Sequence, residues 1–245
     1  MLNAFGPGIL YVTRTDIQNA TPINIGYSNE FSTDFSSNVK ELYGQNQYPL
    51  DVARGTVKIT GKAKAATISG IAWNSVFFGE TFQSGGIQWN SGEAHSVPAV
   101  TTYTVTVTNS ATFDQDLGVI YAATGLPLTK VAAVTAIGQY SVSAGVYTFY
   151  SGDASAAVLI SYTSTVTTGQ TLPITNHLLG FSPTFQLDYY TSRNNKPFVA
   201  RFNKCVCPKM SIASKLEDFQ MPDFDFSIFA DPVGNVGKLV FPEIS

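Results

Sequence analysis

The chain has 245 residues, of which 44% are hydrophobic, 13% are aromatic and only 13% are charged. Charged residues make up about 25% of a typical soluble protein, so much of this surface is uncharged and self-association is the first hypothesis. The net charge of −3 argues against tight nucleic-acid binding, which requires a clustered basic face.

The first residues contain no basic run followed by an apolar stretch and a small-residue cleavage site. No apolar run in the sequence is long enough to cross a bilayer. We therefore expect a protein that is made and kept in a cytoplasm-like compartment, without membrane insertion.

The first clear element is a half-buried strand from Arg54 to Ala65, which alternation of its side chains predicts. Apolar or small residues fall on one face and polar or basic residues on the other: Val57, Ile59, Gly61 and Ala63 against Thr56, Lys58, Thr60, Lys62 and Lys64. The first of these faces is expected to point toward a core.

A short helix is predicted directly after this strand. Its apolar and terminal positions share helical spacing: Ile68, Ile71, Ala72, Val76 and Gly79. Thr67 or Ser69 is available as the N-cap, and Gly79 is placed to end the helix. We expect its apolar stripe to cover the open end or the flank of a sheet.

Residues 80–97 are rich in Gly, Ser and Asn and predict a loop or flexible hairpin. From Val100 to about Thr168 charge almost disappears, and Val, Thr, Tyr and Ala dominate. Turn residues separate short candidate strands at sandwich-like spacing: Tyr103–Thr108, Gly118–Ala122, Gly138–Val142, Gly145–Tyr150 and Ala157–Thr163. We interpret 98–168 as a β-rich subdomain inserted into a discontinuous barrel of 1–97 and 169–245.

The final part of the chain predicts four more strands, Gly180–Tyr190, Pro197–Val206, Pro222–Ala230 and Gly237–Phe241. In the third of them a core face and an acidic face alternate: Phe224, Phe226 and Ile228 against Asp223, Asp225 and Ser227. Asn194–Asn195 and Gly234–Asn235 are typical of hairpin turns, and Ser211–Phe219 can form one or two helical turns. The predicted fold class is all-β with one short helix.

Two groups of acidic residues invite a chemical interpretation. Asp223 and Asp225 could divide acid and base roles, but strand alternation explains them as the solvated face of an amphipathic strand. Asp114, Asp116 and Asp153 could be calcium ligands, but no acidic loop with a closing Glu is present. We interpret these three as turn acids.

The basic stripe of Lys58, Lys62 and Lys64 is a candidate phosphate contact. A single strand carries all three lysines, and no aromatic residues interleave on that face. A solvated or intersubunit face explains the stripe better.

No residue emerges as catalytic, cofactor-binding or metal-binding, so we expect neither an enzyme nor a cofactor. His95 and His177 lie in no nucleophile-elbow or triad context, and Gly85–Gly86 lacks the Lys and Ser or Thr of a phosphate-binding loop. Cys205 and Cys207 are two residues apart in a strand-like run, a spacing that does not easily close a relaxed disulfide. We interpret them as reduced, structural residues, since a metal would need two further soft ligands.

Two stretches resemble the tail tube proteins of long-tailed phages. The first runs from Val39 to Lys64 and continues with Ile68–Gly79. In that family a Leu-Tyr-Gly segment, here Leu42 to Gly44, leads into a barrel strand and then a short helix. The second stretch is the closing part from Phe198 to Phe241, with its Cys-Val-Cys-Pro-Lys-Met-Ser-Ile run, Glu217–Phe219 and the Phe-Asp-Phe strand. The middle of the chain, from Asp116 to Tyr162, resembles a β-rich segment that recurs in phage structural proteins.

The resemblance implies a tail-tube-type barrel of two packed antiparallel sheets whose strands join those of neighbouring copies. It implies homohexameric rings that stack into a hollow tube, through which DNA passes into the host without specific binding. Tail sheath, baseplate, tape measure and tail terminator proteins are the other implied partners. The implied location is the virion tail, assembled in the host cytoplasm. The N-terminal region and residues 80–97 are candidates for ring-to-ring contacts.

Three alternatives stay open, the first of them within the same class of tube-forming proteins. A secretion-system tube component would share the barrel but would not normally carry the insertion. An immunoglobulin-like virion decoration or receptor-binding module would use Val100–Thr168 as its working part, and an exposed aromatic or polar patch there would favour it. An enzyme ranks third, because no motif names a nucleophile, a base or a metal.

Overall fold

The computed structural model describes residues 7–67, 69–193, 196–212 and 221–241. Strands dominate these residues, and one short α-helix accompanies them, so the predicted all-β class is confirmed. In chain order the elements are β1 Gly8–Arg14, β2 Ile23–Tyr43, β3 Pro49–Ala65, α1 Gly70–Trp73, β4 Gln83–Ser96, β5 Thr104–Thr106, β6 Phe113–Tyr121, β7 Thr129–Lys130, β8 Gln139–Ser143, β9 Val146–Phe149, β10 Ala157–Thr171, β11 Phe185–Arg193, β12 Lys196–Ser211, β13 Asp223–Ile228 and β14 Gly237–Val240.

The chain divides into two compact units. Unit 1 comprises Met1–Thr81 and Ile174–Ser245, and unit 2 is Phe82–Pro173. The sequence placed the inserted segment at 98–168, whereas the contacts assign all of β4 and the end of β10 to unit 2. The boundary shifts because β4 and β10 pair with each other along their length.

Unit 1 is an antiparallel barrel. Its hydrogen-bonded strand order is β11-β1-β2-β3-β13-β12, and β11 also pairs with β12, so the sheet closes on itself. β14 continues the line of β13 along β12, since β13 ends opposite Cys205 and β14 begins opposite Phe202. The pairing of β11 with β12 closes the barrel, so the edges of these two strands are paired where the barrel closes.

The barrel interior follows the predicted alternation along β13. Phe224, Phe226 and Ile228 are buried in the core, while the acidic residues between them are only half-buried. Cys205 and Cys207 on β12 lie in the same core as free, buried cysteines, which confirms that they are structural.

Burial along β3 is less uniform than its alternation predicts. The core-facing positions are buried only near the end of the strand, at Gly61, Ala63 and Ala65. Val57, predicted to face the core, is 51% exposed. The strand also begins at Pro49, earlier than the predicted Arg54, because it pairs with β2 well beyond the barrel.

The predicted helix is present as a four-residue α-helix followed by a π-helical turn. Ser69 is the N-cap, and its hydroxyl accepts a hydrogen bond from the Ala72 N–H at 3.3 Å. After α1 a π-helical turn, Asn74–Phe78, leads to Gly79, whose φ of 72° ends the helix. Ala72 and Val76 pack into the barrel core as expected. Ile71 is 54% exposed, against prediction, because a four-residue helix followed by a π turn does not keep one regular stripe.

Unit 2 contains two sheets, of order β4-β10-β6 and β5-β9-β8-β7. The five strands predicted between Tyr103 and Thr163 are present, but β6 begins five residues earlier than predicted and β10 ends eight residues later. One buried cluster lies between the sheets, and its largest members are Tyr147, Tyr162 and Ile160. This is the layered arrangement that short strands at sandwich-like spacing predict.

The interpretation of residues 80–97 as a loop or flexible hairpin is wrong. Gln83–Ser96 form one strand that pairs with β10, from Gln83 opposite Thr171 to Ser96 opposite Ala157. Gly85 and Gly92 have φ values of 90° and 66° and lie near irregularities of this pairing. Gly92 lies in a bulge of β4, and Gly85 lies opposite a bulge of β10, so neither glycine ends the strand. Pairing with a distant strand overrides local composition.

Of the two predicted hairpin turns, one lies among the described residues. Gly234–Asn235 lie in a turn, where the Gly234 N–H donates to the Asp231 carbonyl at 2.9 Å. Asn194–Asn195, Ile68 and most of Ser211–Phe219 lie outside the described residues.

Candidate functional site

β2 and β3 are longer than the barrel that they help to build. Among the described residues, β1 pairs with β2 only between Ile23 and Ser28, and β13 pairs with β3 only from Ile59 to Lys64. The two strands stay paired with each other as far as Tyr43 and Pro49. Residues 35–58 therefore form a two-stranded ribbon beyond the barrel, which we call the hairpin arm.

One face of the hairpin arm continues the core-facing side of the barrel. Within the barrel, Phe31 of β2 packs against the core and stacks on Tyr189, with 4.1 Å between the ring centroids. The two-residue period of a strand carries the same face outward to Phe35, Val39 and Tyr43. These side chains are 54%, 57% and 56% exposed, so the core pattern continues where no core covers it.

The second strand adds two valines to this surface. Val57 lies opposite Ser37, and Val52 lies opposite Glu41, on the same face as the β2 residues. Both valines are exposed by more than half. We call this surface the apolar face of the arm; its apolar side chains are Phe35, Val39, Tyr43, Val52 and Val57. Two charged residues lie on the same side, Glu41 opposite Val52 and Arg54 opposite Val39.

The other face of the arm is mainly polar. Ser36, Asn38 and Lys40 follow one another on it, and the Asn38 side-chain amide donates to Thr56 Oγ1 at 3.2 Å. Leu42 is the apolar exception and is 62% exposed. The arm is thus amphipathic, like a strand pair that packs one side against a core.

A two-stranded ribbon of this kind needs further contacts to be stable. A two-stranded hairpin is marginally stable in water, and a third layer or further strands are normally needed to hold it. The outer edges of β2 beyond Ser28 and of β3 before Ile59 have no strand partner among the described residues. The arm therefore offers both an apolar face and unpaired backbone groups to another molecule.

Sequence reasoning missed the arm, although a signal was present. β2 was not predicted, yet Phe31, Phe35, Val39 and Tyr43 recur at even spacing with polar residues between them. That spacing also fits one side of a helix, and only the pairing with β3 distinguishes the two.

The acidic strand and the basic stripe, predicted separately, are neighbours in the structure. β13 runs antiparallel to β3, with Asp225 opposite Lys62 and Asp223 opposite Lys64. Lys62 Nζ lies 3.0 Å from Asp223 Oδ2, and this hydrogen bond holds the pKa of Asp223 below its usual value. The central lysine of the basic stripe is thus paired with an acidic side chain, which argues against a free phosphate-binding surface. Lys58 lies on the hairpin arm.

The interpretation of the unit 2 aspartates as turn acids is wrong for Asp114 and Asp116, which lie within β6. The side chain of Asp116 is 4% exposed. All three aspartates accept hydrogen bonds from hydroxyl groups of different residues: Asp114 from Thr163, Asp116 from Tyr140 and Tyr147, and Asp153 from Tyr121. Asp116 and Asp153 anchor tyrosines, Asp114 anchors a threonine, and the three carboxylates do not converge on one site.

The histidines are each bound to a glutamate. His95 Nε2 lies 2.7 Å from Glu93 Oε1, and His177 Nε2 lies 2.7 Å from Glu80 Oε1. Within the described part of the chain, no group of three or more His, Cys, Asp or Glu residues is arranged to hold a metal ion. In the same residues no helix is both long enough and apolar enough to span a membrane.

No family model matches the sequence. No curated protein matches it either. The hairpin arm is therefore the feature on which a functional proposal rests.

Proposed function

We propose that this chain is a structural subunit that self-assembles into rings and stacks them into a hollow tube of the phage-tail type. The observation that carries the proposal is the hairpin arm, whose apolar face is exposed in the single subunit. Packing a neighbouring copy on this face would contribute about 25 cal/mol for each Å² of apolar surface removed from water.

The unpaired strand edges of the arm support head-to-tail assembly of copies. A strand from the next copy that pairs with the free edge of β2 or β3 satisfies backbone groups that the subunit leaves open. Such a contact joins two different surfaces, so it propagates from copy to copy until a ring closes. The low charge of the chain, 13%, lowers the electrostatic repulsion between copies.

The number of copies and the partners come from the resemblance to tail tube proteins. On that basis the rings are hexameric, the lumen carries DNA, and tail sheath, baseplate, tape measure and tail terminator proteins meet the tube. Part of the resemblance, from Val39 to Lys64, covers most of the hairpin arm. The proposed role therefore involves geometry and self-association, with no bound cofactor and no catalysis.

Electron microscopy of the purified protein, over a range of concentrations, tests the proposal. We expect rings with six-fold symmetry or hollow tubes, and light scattering should give a mass that rises with concentration. A particle that stays monomeric at high concentration would overturn the proposal.

A second candidate function has an observation of its own. On β4 of unit 2, Trp89 and Ile87 are 69% and 65% exposed and lie opposite Thr163 and Thr165. An exposed indole among hydroxyl groups suits a virion decoration or receptor-binding module. Trp89→Ala would then abolish attachment to host cells and leave assembly unchanged, whereas equal attachment of both proteins would exclude this role.

A further inference from the structure

A groove on the outer side of the unit 1 barrel gathers basic side chains. It has a volume of about 680 Å³ and is lined by Arg201, Lys204 and Lys238 together with Gln186, Asn203 and Asp231. We propose that this groove is a binding site for a phosphate group. The proposal is independent of the tube function, since it rests on a different surface from the hairpin arm.

Two irregularities of the sheet build the groove. The pairing of β11 with β12 shifts between Phe185 and Leu187, where Asn203 and Lys204 together face the single residue Gln186. This bulge brings two consecutive side chains of β12 to the groove. On the other side of β12, the line of β13 and β14 is interrupted by the turn at 229–236, which forms the second wall.

A row of charged residues crosses the floor of the groove. Arg201 of β12 lies opposite Asp188 of β11 on one side and opposite Lys238 of β14 on the other. The Arg201 Nε donates a short hydrogen bond to Asp188 Oδ1. The flat guanidinium group is thereby fixed in orientation, and its terminal nitrogens are left as donors.

The carboxylates at the groove already have partners. Asp231 accepts from the Val233 and Asn235 backbone N–H groups at 3.0 and 2.8 Å, and from Asn203 Nδ2 at 3.0 Å. Asp188 accepts from Gln186 Nε2 at 2.7 Å in addition to Arg201. These acids hold the turn and the floor in place, and little of their acceptor capacity is left for the lysines.

Among the described residues, the two lysines of the groove differ from its carboxylates in lacking a partner of opposite charge. Over the described part of the chain, neither Lys204 nor Lys238 has a carboxylate oxygen within 4.0 Å of Nζ. Lys204 Nζ lies 5.3 Å from the centre of the Phe229 ring, a contact that uses none of its three hydrogen-bond donors. Asp16, whose charge also acts on Lys204, is bound by Arg14.

The side chains at the groove offer more hydrogen-bond donors than acceptors, so a ligand with many acceptor atoms suits it. In a chain of net charge −3, three cations line this groove, namely Arg201, Lys204 and Lys238. The carboxylates that face them are Asp231 in the lining and Asp188, which is bound to Arg201. A guanidinium fork with flanking ammonium groups matches the geometry and charge of phosphate oxygens. The volume falls in the range of small-molecule sites, about 300–1,000 Å³.

Calorimetry with inorganic pyrophosphate tests the site. The purified protein should bind pyrophosphate, and the Lys204→Gln/Lys238→Gln double variant should bind it about tenfold more weakly or worse. The control is Lys40→Gln/Lys58→Gln, which removes the same charge from the hairpin arm and should bind as the unaltered protein does. Circular dichroism checks that both variants are folded.

Competition then identifies the source of the phosphate. If a labelled oligothymidylate is displaced by pyrophosphate and loses affinity in the groove variant, the phosphate belongs to a nucleic-acid backbone. If the oligothymidylate does not compete, the ligand is a small phosphate compound. The proposal fails if millimolar pyrophosphate gives no binding, if the control variant loses as much affinity as the groove variant, or if polyglutamate binds where pyrophosphate does not.

Discussion

Phe35 and Ile59 lie directly opposite each other on β2 and β3, at the point where the two strands leave the barrel. Ile59 also pairs with Ile228 of β13 on its other side and packs against the core. Phe35 is 54% exposed. This pair marks the last position at which the described part of the barrel covers the apolar side of the ribbon.

The apolar face of the arm predicts the effect of Val52→Lys on assembly. We expect rings and tubes to be lost while the subunit stays folded, because a charge on a surface that becomes buried costs several kcal/mol. The hairpin itself should tolerate the change, since the new lysine lies opposite Glu41. Electron microscopy and light scattering measure the assembly.

Ala53→Glu is the matched control for this variant. Ala53 follows Val52 on the same strand, faces the other side of the arm and lies opposite Lys40. The introduced glutamate therefore also meets an opposite charge, and assembly should persist. Equal behaviour of the two variants, whether both assemble or both fail, would show that the apolar face is not the assembling surface.

The close packing around Gly61 predicts that a larger side chain at this position destabilises the barrel. A Cβ atom there would lie 2.3 Å from Phe226 Cζ and 2.5 Å from the Ser32 carbonyl oxygen. Gly61→Ala should therefore lower the free energy of unfolding of unit 1 by about 2–3 kcal/mol, since the aromatic ring and the neighbouring strand must both move.

Denaturant unfolding followed by tryptophan fluorescence measures this change. The chain has two tryptophans, Trp73 in unit 1 and Trp89 in unit 2, so a Trp89→Phe background reports on unit 1. Gly86→Ala serves as the control, because its Cβ would come no closer than 3.7 Å to another atom. A stability loss in unit 1 of under 0.5 kcal/mol for Gly61→Ala, roughly the scatter of neutral surface changes, would contradict the close packing described.

The contacts of Glu93 predict that the folding stability of unit 2 depends on pH. Burial alone would raise its pKa, but hydrogen bonds from the Tyr162 hydroxyl and from the Thr108 N–H and hydroxyl outweigh burial and lower the pKa to about 2. A folded-state pKa below the ordinary value of 4.5 stabilises the fold above that pH. The contribution is lost as the pH falls from 4.5 toward 2.

Glu93→Gln should therefore lower the free energy of unfolding at pH 7 by about 2 kcal/mol and flatten its decline in acid. The measurement is denaturant unfolding between pH 7 and pH 2, followed through Trp89 in a Trp73→Phe background. Glu30→Gln, at an exposed position of β2, is the control and should leave the pH profile of unit 2 unchanged. An unaltered acid slope in Glu93→Gln would rule out this carboxylate as the source.

The burial of the two cysteines predicts that their thiols are unreactive in the native protein. Burial raises the pKa of Cys205 and of Cys207 to about 12, so almost no thiolate exists at neutral pH. Iodoacetamide should modify neither cysteine at pH 8 in the folded protein and both in guanidinium chloride, as mass spectrometry will show. Rapid labelling of the native protein would contradict the burial of these side chains.

The sequence by itself determined the fold class and much of the core. Phe224, Phe226 and Ile228 alternate strictly with polar residues, and a strand has only two faces, so the pattern alone assigns the buried side. Ser69 and Gly79 bracket a helix for equally local reasons, a cap at one end and a left-handed residue at the other. Wherever neighbours along the chain decide the structure, the sequence was sufficient.

Tertiary structure alone decided what distant residues do together. The glycines of β4 predict a loop until pairing with β10 holds them in a strand, and Lys62 neutralises Asp223 only because β3 and β13 lie side by side. The hairpin arm and the basic groove depend on which strands pair with each other and on the residue at which each pairing ends. The physical reason is that strand pairing joins backbone groups far apart in sequence, so local composition does not encode its extent.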